Sequence, residues 1–144
     1  MHIRAQRLAR MDGGHNKSLE SIIVWIDVTA PRYWWSQFDT YRVGVSKQSE
    51  STMHTLTKRL LTQADFEGYV NQDIIDAVNG QIDAKNLNMA KAWLPESFLQ
   101  RRIVCTNYKT LRNIYQQRRG HKLREWQVFC DTLEEGLQHP EFLK

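Results

Sequence analysis

The chain is poor in cysteine and has no long apolar run. Cys105 and Cys130 are its only cysteines in 144 residues, and two do not make a disulfide framework or a zinc motif. No apolar run approaches the roughly 20 residues that a membrane-spanning helix needs. The first twenty residues are polar and charged, which is not the pattern of a signal peptide. We therefore expect a cytoplasmic protein with reduced thiols and no membrane association.

The common signatures of catalytic sites are also missing. No Gly-rich dinucleotide fingerprint is present, which argues against a Rossmann domain. The histidines His15, His54 and His121 do not have the spacing of metal ligands, and no carboxylate pair accompanies them. No metal site is therefore expected. The members of any Ser-His-Asp or Cys-His arrangement lie far apart in sequence, so the pattern does not support nucleophilic catalysis.

Acidic residues are absent between Arg101 and Arg124, which concentrates positive charge in one stretch. The chain has a net charge of only +4, yet this stretch holds eight bases: Arg101, Arg102, Lys109, Arg112, Arg118, Arg119, Lys122 and Arg124. The guanidinium group presents a fixed fork of donors that matches phosphate oxygens. The stretch therefore indicates either an anion-binding surface or a solvated basic helix. No nucleic-acid motif accompanies the charge, so a nucleotide is the better candidate ligand.

Length and periodicity predict one small α+β domain. At 144 residues and 41% hydrophobic content, the chain can build one modest core. No repeat, low-complexity segment or linker divides it, so a single domain over residues 1–144 is expected. Apolar residues alternate from Ile22 to Val28, which predicts a strand that ends at Pro31.

Seven segments are predicted to be helical, and several of them have the apolar spacing typical of amphipathic helices, whereas residues 3–11 are predicted to form a short polar helix. The predicted helices cover residues 3–11, 32–41, 53–61, 73–83, 86–93, 106–118 and 123–137. The hydroxyl-rich stretch 46–52 is predicted to be a loop, with Ser51 or Thr52 as the N-cap of the next helix. Within the basic helix, Asn107, Leu111 and Arg118 are predicted to share one face.

Residues 22–54 combine an apolar strand, an Ala30-Pro31 break, an aromatic helix and a serine-rich loop after Arg42. This order resembles the flavin-dependent thymidylate synthases, the ThyX family. The family has an Arg-His-Arg triplet where this chain has Thr40 to Arg42, and a serine where it has Ser51. The resemblance implies that Arg42 and Ser51 bind the phosphate of the substrate.

The second half of the chain contains the more specific match. Leu94-Pro95 and a spacer to Thr106 precede five residues that keep the spacing of the family's final helix: Asn107, Lys109, Leu111, Asn113 and Arg118. The resemblance implies that Arg118 is the catalytic arginine, placed against the uridylate base. It also implies that Asn107, Lys109 and Asn113 bind the flavin.

The family methylates dUMP to dTMP with FAD, and uses NADPH and methylenetetrahydrofolate as co-substrates. Its active sites are shared between the subunits of a tetramer. We therefore expect a homotetramer that binds FAD, a uridine nucleotide, or both. The flavin route needs no cysteine nucleophile, which agrees with Cys130 lying on the apolar stripe of the last predicted helix.

The departures from the family pattern leave a second interpretation open. Only Arg42 remains of the triplet. The interval from Arg42 to Ser51 is one residue longer than in the family, and Met53-His54 stands where the family has an Arg-Tyr pair. The chain is also shorter than usual for the family. The alternative is a catalytically inactive protein that sequesters a nucleotide on the same scaffold, as a compact phage or prophage version would do.

Overall fold

The computed structural model describes residues 2–11 and 14–144. Contacts between residues divide the chain into two compact units. The terminal unit comprises the chain up to Ile26 together with Thr40–Lys47 and Val104–Lys144. The central unit comprises Asp27–Asp39 and Gln48–Ile103. The single domain expected from the sequence stays a prediction.

Three strands form one sheet in the order β1-β3-β2: β1 (Ile23–Pro31), β2 (Ser46–Ser49) and β3 (Leu99–Asn107). Backbone bonds show that β1 and β3 are antiparallel. In the terminal unit Tyr108 N donates to Ile22 O at 3.2 Å, and in the central unit Arg32 N donates to Phe98 O at 3.1 Å. The prediction of an α+β fold is confirmed.

Two of the three strands correct the sequence prediction. β2 lies in the stretch that was predicted to be a loop, and its sequence Ser-Lys-Gln-Ser has no apolar alternation. β3 occupies the spacer before the basic helix and takes in Thr106 and Asn107, which were predicted to begin that helix. A strand is stabilised by its neighbours in the sheet, so pairing can override weak local preference.

The described residues contain seven α-helices: α1 (His2–Ala9), α2 (Arg32–Phe38), α3 (Thr52–Lys58), α4 (Gln72–Asp83), α5 (Leu87–Trp93), α6 (Tyr108–Arg118) and α7 (Arg124–Gly136). Short 3-10 turns cover Lys17–Ser21, Gln63–Asp65 and Pro140–Phe142. The predicted helix after Pro31 ends earlier than expected, so Tyr41 lies in a turn rather than in α2.

None of the helices in the described ranges is long and apolar enough to cross a membrane.

The core of the central unit is formed mainly by α3, α4, α5 and the segments between them. Its buried side chains are Leu56, Leu61, Phe66, Val70, Ile75, Val78, Ile82, Ala90, Leu94 and Phe98. Trp34, Trp35 and Phe38 of α2 are also buried, and the Trp34 and Phe38 rings stack with centroids 5.1 Å apart. The amphipathic helix predicted over residues 73–83 is present as α4, with Ile75, Val78 and Ile82 buried and Ile74 exposed.

The core of the terminal unit surrounds α6 and α7, which pack against each other. On α7 the stripe of Trp126, Phe129, Cys130 and Leu133 is buried, as predicted. A second cluster joins Tyr108 to Phe142 and to α1 through Ala9. These contacts hold α6, the helix that carries three of the six predicted site residues, Lys109, Asn113 and Arg118.

Candidate functional site

The terminal unit contains a cavity of about 680 Å³. Most of its wall comes from two segments that are distant in sequence, the turn after α2 and the start of α6. Its lining residues are Glu20, Thr40, Tyr41, Arg42, Val43, Gly44, Asn107, Lys109, Thr110 and Asn113. The volume lies within the range of about 300 to 1,000 Å³ that is typical of small-molecule sites.

The cavity brings together four of the six residues predicted to form the site. Arg42 reaches it from the turn, while Asn107, Lys109 and Asn113 reach it from α6 and its N-cap. Arg118 lies further along α6 and is not among the lining residues. Ser51 belongs to the central unit. The roles assigned to all six stay predictions.

Asn107 begins α6 instead of lying within it. Its side-chain Oδ1 accepts a hydrogen bond from Thr110 N at 3.0 Å, which is the usual bond of an N-cap asparagine. The predicted face shared by Asn107, Leu111 and Arg118 is therefore wrong, since Asn107 precedes the helix and Leu111 is fully buried. While Oδ1 caps the helix, Nδ2 is the donor that Asn107 can offer to a ligand.

Gly44 allows the turn to approach the start of α6. Its φ is +70°, and a Cβ there would clash with Thr110 Oγ1 and lie 3.1 Å from Asn107 Nδ2. The turn is anchored to the helix by two hydroxyl groups. Thr106 Oγ1 donates to Gly44 O at 2.8 Å, and Thr110 Oγ1 donates to Val43 O at 3.4 Å. Glycine is therefore strongly favoured at this position.

An ion pair reduces the positive charge of the cavity. Lys109 Nζ donates a hydrogen bond to Glu20 Oε1, and this bond, helped by the charge of the ammonium group, holds the pKa of Glu20 below its usual range. Glu20 is thus ionised at neutral pH. With Arg42 and Lys109 positive and Glu20 negative, the charged lining residues sum to +1.

Arg118 is held by two aromatic rings. Its Nε donates to Tyr41 Oη at 2.8 Å, and its guanidinium carbon lies 4.7 Å from the centroid of the Trp126 ring and 5.5 Å from that of Tyr41. Cations are stabilised over the faces of such rings. The local structure therefore fixes the position of the guanidinium group before any ligand binds.

The same tyrosine lines the cavity and is also linked to a second lining residue, Asn113, through Gln117 of α6. Tyr41 Oη donates to Gln117 Oε1 at 2.9 Å, and Gln117 Nε2 donates to Asn113 Oδ1 at 3.0 Å. Gln117 and Asn113 lie one helical turn apart, the spacing at which side chains on a helix meet. Three hydrogen bonds therefore connect Arg118 to a residue of the cavity wall.

Ser51 is the N-cap of α3, as the sequence predicted. Its side chain makes no capping hydrogen bond, while its carbonyl accepts from Thr55 N at 2.9 Å and from Thr55 Oγ1 at 3.0 Å. The Ser51 side chain is exposed.

Acidic side chains from elsewhere in the chain neutralise much of the basic stretch. The ion pairs are Arg101 with Asp27, Arg102 with Asp39, Lys109 with Glu20, and Arg119 with Asp131. Arg112 is buried, with 9% of its surface exposed. The stretch is thus neither a continuous anion-binding surface nor a fully solvated basic helix.

Sequence reasoning missed Glu20, Thr110 and the role of Gly44. Glu20 meets Lys109 only through folding, because 89 positions separate them, so no local pattern could have found it. The glycine between two valines, Val43 and Val45, was the one available sign of a tight turn. In residues 2–11 and 14–144, no three or more His, Cys, Asp or Glu side chains group as a metal ion would require.

Comparisons with known proteins identify the fold. No family model matches the sequence, and no curated protein matches it at a significant level. A crystal structure of flavin-dependent thymidylate synthase ThyX from Helicobacter pylori, complexed with FAD and dUMP, is similar with a TM-score of 0.77 and 18% sequence identity. The similarity covers 99% of this chain and 81% of that one. A second ThyX structure from the same organism with FAD and dUMP has a TM-score of 0.78 at 18% identity, over 99% and 80% of the two chains. The chain therefore has a ThyX-like fold.

Proposed function

We propose that this chain is a ThyX-like protein that binds FAD, a uridine nucleotide, or both. The observation that carries the proposal is the cavity, where Arg42 from one segment meets Asn107, Lys109 and Asn113 from another. The fold supports the same proposal, since the similar enzymes were solved with FAD and dUMP.

The chemistry of the cavity suits a ring with polar edges and an anionic group. Asn107 Nδ2, Lys109 and Arg42 supply donors for carbonyl and phosphate oxygens. Val43, which is 87% exposed, offers an apolar surface at the wall that a bound ring would cover. The N-terminal end of α6 adds partial positive charge. When bound, a flavin would supply hydride transfer, while these residues orient it.

For the substrate, we propose that Arg42 and Ser51 bind its phosphate and that Arg118 contacts the pyrimidine ring. Tyr41 and Trp126 would hold the Arg118 guanidinium group in a fixed orientation there. We also propose a homotetramer. In a site shared between subunits, Arg42 and Ser51 need not come from the same chain.

The finer proposal is methylation of dUMP with methylenetetrahydrofolate and NADPH, at a low rate. Thr40 and Tyr41 occupy two of the three positions of the family's basic triplet, and both line the cavity without adding positive charge. Small displacements of positioning groups reduce rates strongly, by about a hundredfold for 1 Å. The same observation favours the second candidate, a catalytically inactive protein that sequesters a nucleotide. A phage or prophage origin stays a prediction.

The first test is whether the purified chain takes up ligand. We expect the visible absorption band of FAD in the preparation or on titration, and binding of dUMP by calorimetry. Arg42→Gln should weaken dUMP binding about 10- to 100-fold, because a hydrogen bond to a charged group contributes about 1.5 to 3 kcal/mol. Arg124→Gln removes an exposed base outside the cavity and should leave the affinity unchanged.

Two further measurements separate the alternatives. Tritium release from labelled dUMP at the rate of a full ThyX enzyme would contradict the proposal of weak catalysis, and ligand binding without any release would favour sequestration. Light scattering at micromolar concentration should show a tetramer, and a monomer would exclude a shared-subunit site. A colourless protein that binds neither FAD nor dUMP would reject the proposed function.

A further inference from the structure

The hydrogen bonds from Arg118 to Asn113 all run in the same direction. Arg118 can only donate, so Tyr41 Oη accepts its Nε–H at 2.8 Å. The single hydroxyl proton of Tyr41 is then donated to Gln117 Oε1 at 2.9 Å. This bond turns the carbonyl group of the Gln117 side chain toward Tyr41. The amide nitrogen Nε2 then faces Asn113, one turn earlier on α6, and donates to Asn113 Oδ1 at 3.0 Å.

The direction of this chain of hydrogen bonds determines what Asn113 can offer to a ligand. An asparagine amide is ambivalent, since it has both a carbonyl acceptor and two N–H donors. Here the bond from Gln117 holds Oδ1 toward Gln117, so the amide presents its donor, Nδ2, to the cavity that Asn113 lines. Without the upstream bonds, Asn113 could present either end.

We infer that Tyr41 is a positioning residue which, through Gln117, makes Asn113 a hydrogen-bond donor and so makes the cavity selective for an acceptor on the ligand. This inference rests on the proposed function. The matching chemistry is an exocyclic carbonyl oxygen, either O4 of uracil or a carbonyl oxygen on the fused pyrimidine of a flavin. Cytosine presents an amino donor at the position of the uracil O4 and would meet the Asn113 amide unfavourably.

Gln117→Glu tests the inference without altering any residue that lines the cavity. A carboxylate can only accept, so it still receives the Tyr41 hydroxyl proton but cannot donate to Asn113. Asn113 should then turn, donate Nδ2 to the carboxylate and present Oδ1 to the ligand. The readout is the ratio of the dCMP and dUMP dissociation constants, because the two nucleotides carry the same sugar and phosphate and the added charge cancels in the ratio.

We expect the preference for dUMP over dCMP to fall about tenfold in Gln117→Glu, the scale of one hydrogen bond with its polarity reversed. Gln116→Glu adds the same charge on the neighbouring residue and should leave the ratio unchanged. Tyr41→Phe keeps the ring beside Arg118 but removes the hydroxyl that directs the hydrogen bonds. Tyr41→Phe should therefore also reduce the preference for dUMP over dCMP.

A parallel FAD titration identifies which ring meets Asn113. One outcome is that Gln117→Glu leaves the ratio of the dCMP and dUMP dissociation constants unchanged but lowers the affinity for FAD, while Gln116→Glu does not lower it. The acceptor that meets Asn113 then belongs to the flavin, and the inference stands. If the wild-type chain binds these ligands and Gln117→Glu changes neither quantity relative to Gln116→Glu, the inference is overturned while the proposed function survives. If the wild-type chain binds none of them, both are rejected.

Discussion

Replacing Gly44 by alanine should destabilise the protein through two separable effects. The first is the backbone, because φ of +70° lies in the left-handed region, where an L-residue with a Cβ costs about 1 to 2 kcal/mol. The second is the contact with Thr110, whose Oγ1 occupies the space of the new Cβ. Moving the Thr110 side chain away from its preferred rotamer costs a further 0.5 to 1.5 kcal/mol or so.

Together these effects should lower the free energy of unfolding by roughly 1.5 to 3.5 kcal/mol. For a chain of this length, each 1 kcal/mol shifts Tm by about 4 °C. We therefore expect the Tm of Gly44→Ala to fall by roughly 6 to 14 °C. The assay is thermal and urea unfolding followed by circular dichroism.

Two other glycines provide matched controls. Gly68 has nearly the same φ, +71°, but no atom lies within 4 Å of the place that a Cβ would take, so Gly68→Ala should show the backbone cost alone. Gly80 lies inside α4 with open space around it, and Gly80→Ala should stabilise the protein by about 0.5 to 1 kcal/mol.

The contact with Thr110 can be isolated by a second substitution. Thr110→Ala should cost less stability in the Gly44→Ala background than in the wild type, because there it also removes the clash. The reasoning is refuted if Gly44→Ala and Gly68→Ala have equal effects, or if the two substitutions at Gly44 and Thr110 are simply additive.

Three further predictions concern single side chains. Arg118→Ala should weaken nucleotide binding on the order of 1.5 to 3 kcal/mol with only a small loss of stability from the ring contacts; unchanged calorimetric affinity for dUMP and FAD would remove Arg118 from the site. The Asp65 carboxylate receives two hydrogen bonds from Arg59, at 2.6 and 2.8 Å, which hold the pKa of Asp65 below its usual range. A depressed pKa stabilises the fold above the unfolded value of about 3.9 and ceases to do so as the pH falls through the folded value. Asp65→Asn should thus lower Tm at pH 7 but lose its effect under acidic conditions, whereas a Tm difference that persists unchanged to pH 2 would contradict this. Burial raises the pKa of the Cys130 thiol to about 11, so a thiol reagent at neutral pH should label Cys105 first, and equal labelling rates in the native protein would contradict the packing of α7.

Elements with a local signal could be predicted from the amino-acid sequence alone. On α7 the spacing of Trp126, Phe129, Cys130 and Leu133 follows the helical period, and these are the residues that are buried. Ser51 marked the start of α3. Such features depend on residues within one or two turns of each other, so periodicity and capping preferences are sufficient to predict them.

The sheet was only partly predictable for the same reason. β1 has an alternating pattern of its own, whereas β2 has none and becomes a strand only by pairing with β3. The helix that was predicted from Thr106 begins two residues later, because Thr106 and Asn107 continue β3. Backbone pairing is a contact between distant segments, and local preference does not contain it.

For the site, the sequence supplied the spacing of Asn107, Lys109 and Asn113, which resembles a known family. What these residues face depends on the packing of the folded chain. Folding brings Glu20 to Lys109, which cancels a charge that looked available in the sequence. Folding also packs the turn at Gly44 against the start of α6, and the two segments together form most of the cavity wall. Charge and hydrogen-bond direction are set by partners far away in the chain, so they follow from the packed structure and not from composition or spacing.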